Sequence, residues 1–81
     1  MKILAIIPAF NAADSVGEVI DGLFRVDFDT TSILVVDDGS VDGTFEAAEK
    51  YGVRVLRHER NKGKGAALKT GFNFAIREGF D

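Results

Sequence analysis

Eighty-one residues, 46% hydrophobic and 28% charged, make one globular unit near the lower size limit for a self-sufficient core. With no cysteine present, a disulfide framework and a cysteine-ligated metal are excluded. The longest apolar runs, Ile3 to Ala9 and Ile33 to Val36, are too short to cross a bilayer, and the net charge of −3 argues against a general nucleic-acid binder. No signal-peptide cleavage pattern opens the chain, so a cytoplasmic origin is expected.

Lys2 to Ile7 is an aliphatic run suited to a strand buried on both faces of a parallel sheet, and Pro8, which cannot donate to a ladder, is expected to end it. Val16, Val19, Ile20, Leu23 and Phe24 then recur at helical spacing. Ser15 with Glu18 makes a capping box, and Asn11 or Asp14 offers an earlier cap. Ser32 to Val36 reads as a second buried strand, stopped by Asp37-Asp38-Gly39-Ser40. A short helix follows from Thr44 to about Tyr51, capped by Ser40 or Asp42 and closed by Gly52. Val53, Val55 and Arg57 alternate with Arg54 and Leu56 in a third, shallower strand. The last helix starts near Gly63 to Gly65, presents Ala67, Leu68, Gly71, Phe72 and Ala75 on its apolar side, and ends at Gly79.

The order βαβαβα across short loops predicts an α/β fold, a three-layer parallel sheet in strand order 3-2-1 with the first two helices on one face. Ligands of such sheets bind beyond the carboxyl ends of the strands. Three unusual segments fall there: Pro8-Ala9-Phe10-Asn11, Asp37 to Ser40, and Asn61-Lys62-Gly63-Lys64-Gly65. The proline-bent first loop explains itself as a strand end and a cap, and it also exposes backbone against which a flat base could lie. The adjacent carboxylates of Asp37 and Asp38 repel each other and need a turn, water or ligand to stabilise them. A turn with a helix cap is one explanation, a hydrogen bond to a base N–H or a ribose hydroxyl a second, and a paired acid and base a third. Gly63-Lys64-Gly65 opens a helix, where free N–H groups, the helix dipole and added cations favour an anion.

Charge is segregated in the same sense. Residues 1 to 49 hold ten acids against Lys2 and Arg25, while Arg57, Arg60, Lys62, Lys64 and Lys69 are opposed locally by Glu59 alone. That stretch reads either as a solvated loop or as an anion-facing surface. The spacing is not that of a Walker motif, and no G-x-G-x-x-G follows the first strand. His58 has no metal partner at a useful spacing and is read as a loop residue.

In order and spacing, Ile6-Ile7-Pro8-Ala9-Phe10-Asn11, Ile33 to Thr44 and Asn61 to Leu68 resemble the family 2 glycosyltransferases, in particular the branch of dolichyl-phosphate mannose synthases and polyprenyl-phosphate sugar transferases. The resemblance covers essentially the whole chain. It implies a GT-A fold that takes a UDP- or GDP-sugar and transfers the sugar to an acceptor such as a polyprenyl phosphate or a saccharide. It also implies that Pro8, Ala9 and Asn11 line the base pocket, that Asp38 bonds the base, and that Lys64 lies near the nucleotide; Asp37, Asn61 and Gly63, at the same sheet edge, are expected to bind the nucleotide with them. Ala12 and Ala13 stand where the family commonly has acids. The family's Asp-x-Asp, which holds Mg²⁺ or Mn²⁺ and the sugar diphosphate, would follow a further strand beyond Asp81. Residues 1–81 are therefore expected to be a partial, truncated nucleotide-sugar-binding domain, with no catalytic or metal residues, no tightly bound metal and no activity alone. Membrane association would come only through later residues or a lipid acceptor. The first strand's free edge is expected to drive self-association into a homo-oligomer. A non-catalytic nucleotide-binding or assembly module and a flavodoxin-like signalling domain are the competing readings.

Overall fold

The computed structural model describes residues 2–81. Three parallel strands, β1 (Ala5–Ala9), β2 (Ile33–Asp37) and β3 (Arg54–Arg57), form one sheet with β2 in the centre. The helices α1 (Val16–Phe24), α2 (Thr44–Glu49) and α3 (Lys64–Arg77) alternate with them, as the aliphatic and helical periodicities predict.

Because successive strand residues point to opposite faces, β2 supplies two cores at once. Ile33 and Val35 pack with Val16 and Ile20 of α1 and Ala48 of α2, whereas Leu34 and Val36 pack with Ala67 and Phe74 of α3. The molecule is thus three layers, with α1 and α2 on one face and α3 on the other. Every residue of β2 is buried, while β1 is only half-buried over most of its length, as an edge strand must be. β3 is exposed at both ends, in keeping with its shallower predicted position.

Several local expectations are corrected. Pro8 does not end β1: the strand runs on to Ala9, with Pro8 in register with Val36. The Ala5 amide donates to the Ser32 carbonyl and the Asp38 amide to the Ala9 carbonyl. The odd residues of β1 therefore face β2, and Pro8 faces the free edge, where its missing N–H costs nothing. The second strand likewise extends to Asp37.

Ser15 makes no side-chain cap at α1, so the capping box with Glu18 does not form; the amides of Ser15 and Val16 both donate to the Ala12 carbonyl instead. Val19 is 47% exposed, so the buried stripe of α1 rests on Val16 and Ile20. In α3 the buried side is Ala67, Gly71 and Phe74, and Phe72 is 56% exposed. Gly71 sets that phase, because a Cβ there would lie 2.6 Å from Ile6 Cγ2. The helix can approach β1 only with that face inward.

Candidate functional site

The two adjacent aspartates sit opposite two adjacent basic residues. Asp37 ends β2 in register with Arg57 at the end of β3, and one residue further on Asp38 meets His58. The His58 amide donates to the Asp37 carbonyl at 2.8 Å, carrying the ladder past the strand ends. Alternation then sends the two carboxylates to opposite faces. Their mutual repulsion is relieved by divergence and by a separate basic partner for each.

On the α2 side, Asp37 is 0% exposed. Its Oδ1 accepts from the Ser40 amide at 3.1 Å, and the Arg57 Nε lies 3.5 Å from Oδ2. Oδ2 has no hydrogen bond, so the nearby guanidinium is its compensation. Arg57 is itself shared, stacking 4.2 Å from the Phe45 ring centre and approaching Glu46 at 3.6 Å.

On the α3 side, Asp38 is 3% exposed and more completely satisfied. Oδ1 accepts from the Lys62 amide at 2.9 Å and lies 2.7 Å from His58 Nδ1; Oδ2 accepts from the Gly63 amide at 2.9 Å. Asn61 Nδ2 donates to the Asp38 carbonyl at 3.3 Å. Burial pushes the Asp38 pKa up, but the hydrogen bonds from His58, Lys62 and Gly63 outweigh it, leaving the carboxyl below its ordinary range and ionised. An ionised carboxylate only accepts, so His58 Nδ1 carries the proton facing it. The other ring nitrogen, Nε2, lies 2.8 Å from Thr70 Oγ1 on α3. His58 is a loop residue directly after β3, but its side chain is largely enclosed, and it joins the ends of β2 and β3 to the middle of α3.

The first two loops are tied by short polar side chains on backbone amides. The Asn11 amide donates to Ser40 Oγ at 2.8 Å, and Asn11 Oδ1 accepts from the Val41 amide at 3.0 Å. Asn11 thus bridges to the second loop and does not cap α1. The Ala12 amide donates to Thr44 Oγ1 and the Ala13 amide to Asp42 Oδ2, and Asp42 Oδ1 also accepts from the Thr44 amide at 3.1 Å. Of the two expected caps for α2, Asp42 serves its first amide while Ser40 is committed to Asn11. Gly39, at φ 75°, lies so close to the backbone of Arg60 and Asn61 that any Cβ would overlap it. The third loop closes over the second only because that residue is glycine.

Between the first and third loops lies an open groove of about 530 Å³, lined by Pro8, Ala9, Phe10, Asp38, Asn61, Gly63, Lys64 and Ala67. Six of the eight residues singled out from sequence surround it. Asn11 and Asp37 do not line it. Lys62 lies outside it too, in a separate cleft with Arg57, His58, Glu59 and Arg60. Gly63, at φ 98°, is the N-cap of α3, a conformation that other residues rarely adopt. Two further clefts open at the amino ends of the strands, around Lys2 and Phe80, away from the loops that gather these polar groups.

The family model described as glycosyl transferase family 2 matches residues 4–78. The chain belongs to this family. It is 44% identical to an uncharacterized protein of Methanocaldococcus jannaschii over 93% of its length, 36% identical to the undecaprenyl-phosphate mannosyltransferase of Micrococcus luteus over 100%, and 35% identical to the dolichol-phosphate mannosyltransferase of Pyrococcus furiosus over 93%. It spans only 30%, 35% and 23% of those relatives' own lengths. No solved structure matches the chain. The parallel sheet with interleaved helices is that of the N-terminal part of a GT-A fold. Family 2 enzymes commonly use a divalent metal, but Asp37 and Asp38 are each turned toward a basic partner here. Among the described residues no group of three or more His, Cys, Asp or Glu could hold an ion. These residues do not fit a metal. Nor, among the described residues, is any helix long and apolar enough to cross a membrane.

Proposed function

We propose that residues 1–81 form the nucleotide-binding part of a longer sugar transferase, in which the groove between the first and third loops takes the nucleotide of a UDP- or GDP-sugar. The observation that carries the reading is the composition of that groove: Pro8 and Ala9 offer an apolar wall, Asp38 an ionised acceptor, and Gly63 with Lys64 a helix start bearing a cation. A carboxylate has about four lone-pair positions. Internal bonds from His58, Lys62 and Gly63 use three at Asp38, which leaves one for a base N–H. Asn11 acts on the site indirectly, by fixing the first loop to the second. Asp37 likewise acts indirectly, through the end of β2. The sugar acceptor is a polyprenyl phosphate or a saccharide, the first favoured by the names of the Micrococcus and Pyrococcus relatives. A polyprenyl-phosphate acceptor would bring the work to a membrane surface, for which we propose the cytoplasmic face.

Chemical-shift titration of the chain with UDP, GDP, uridine and guanosine tests this reading. One base should shift Ala9, Asp38 and Asn61, and its diphosphate should bind more tightly than the bare nucleoside, with a preference that falls as salt is raised. Lys64→Ala should lower that preference more than Lys62→Ala. Shifts confined to residues 60–69, equal for both diphosphates, would reduce the site to simple phosphate attraction and remove base recognition from Asp38.

A further inference from the structure

We propose that His58 is a positioning residue: its Nδ1–H holds Asp38 and thereby sets the third loop against the groove. The proposal rests on the nucleotide reading for its purpose, but its geometry stands apart from it. Asp38 accepts from His58 and from the amides of Lys62 and Gly63 with one carboxylate, so the side chain that orients the carboxylate also orients the two amides that open the groove's cationic wall. Without a third donor, the carboxylate could swing about its χ angles and exchange these amides for water. His58 is held in turn by Thr70, in the second turn of α3. The ring is 10% exposed and has a partner on both nitrogens, which fixes its plane. The line Asp38–His58–Thr70 thus ties the end of β2 to the helix whose N-terminus borders the groove.

Shape alone does not explain a histidine here. An imidazole with a proton on Nδ1 offers a donor to a carboxylate and, at the opposite end of one rigid ring, a second nitrogen that bonds a hydroxyl. Asparagine places an amide N–H near the position of Nδ1 and cannot reach Thr70. His58→Asn therefore keeps the bond to Asp38 and loses the other, while Thr70→Val removes only the hydroxyl.

The test combines imidazole NMR, amide exchange and nucleotide titration on the same chain. The wild-type ring should show a slowly exchanging proton on Nδ1. His58→Ala should speed exchange of the Lys62 and Gly63 amides by roughly tenfold or more, the scale of one hydrogen bond to a charged group, and weaken binding of the preferred diphosphate and its nucleoside by a similar factor. His58→Asn should recover most of both, and the Val35 and Val36 amides should remain protected throughout. Unchanged Lys62 and Gly63 exchange in His58→Ala would overturn the proposal, and so would an Asn variant as defective as the Ala variant. If His58→Ala does not fold, the Asn variant decides by the same amides; unfolding of both would make His58 a stabilising residue only and overturn the positioning role. Should the wild type bind neither UDP nor GDP, the nucleotide reading falls, and the amide and imidazole measurements still decide His58.

Discussion

Asp37 and Asp38 are neighbours in sequence, both buried, and yet they lie in different environments. Asp37 faces the α2 side with one amide bond and a guanidinium that is half in solvent and shared with Glu46 and Phe45. Asp38 faces the α3 side with an imidazole and two amides, and it borders the groove. The difference teaches that one carboxylate fastens two strand ends while the other organises a loop, and that the pair is not a catalytic dyad: alternation holds the two apart.

The comparison breaks first at Asp38. Asp38→Ala leaves an imidazole N–H and two loop amides without an acceptor, and should cost roughly 3 kcal/mol of stability while eliminating nucleotide binding. Urea unfolding followed by circular dichroism measures the first effect. Because the loop falls with the side chain, loss of binding in this variant alone does not assign a base contact; the site-resolved titration does. Asp37→Asn keeps an acceptor for the Ser40 amide and gives up only the attraction to a half-exposed guanidinium, so roughly 1 kcal/mol is expected. Equal costs for the two would erase the distinction.

Acid sharpens the same contrast. The Asp38 pKa lies below its unfolded value, so its contribution is complete above the ordinary aspartate value of about 3.9 and is lost as pH falls through the lower folded value. Asp29 and Asp42 shift the same way, through hydrogen bonds from Thr31 and Thr44, and add to the slope. Stability against pH below 4 should be flatter in Asp38→Asn than in wild type. An unaltered slope would mean that Asp38 is not ionised in the folded chain.

A smaller effect is expected at the first loop, whose ties are exposed. Asn11→Ala removes the acceptor for the Val41 amide at a residue with φ 50°, where asparagine is favoured, and should cost about 0.5–1 kcal/mol without disturbing the Lys62 and Gly63 amides.

The order of elements was legible because continuous aliphatic runs and helical spacing are strong signals in a parallel sheet. What escaped were choices made by partners across the sheet. Pro8 ends a strand only if its nitrogen faces a neighbour, and the phase of β1 decides that. The face of α3 depended on Gly71 against Ile6, which apolarity alone cannot rank over Leu68 and Phe72. The groove's acidic, glycine and lysine residues were visible as local motifs. The role of His58 was not, since its partners are 20 and 12 residues away. One signal was available: with β2 and β3 in register, Asp37-Asp38 falls opposite Arg57-His58.

The weakest expected effect concerns the free edge of β1. Sequence reading treats Lys2 to Ile7 as a long, unguarded edge, but the structure shortens it. Pro8 offers no donor toward that side, and at the other end the Asp81 amide donates to the Lys2 carbonyl at 2.6 Å while the Lys2 amide donates to Asp81 Oδ2 at the same distance. By alternation only Leu4 and Ile6 offer both a donor and an acceptor there, Pro8 adding its carbonyl alone, which is too little for a lasting strand pair. We therefore propose self-association through β1 that is weak, helped by the exposed Ile3 beside it. Light scattering over a dilution series should show a monomer at low concentration and a rising mass at high concentration. Asp81→Ala, which loosens the guard at Lys2, should raise that mass, and Ile3→Lys, which puts a charge on the exposed residue beside the edge, should suppress it. A mass independent of concentration in all three chains would exclude association through this strand.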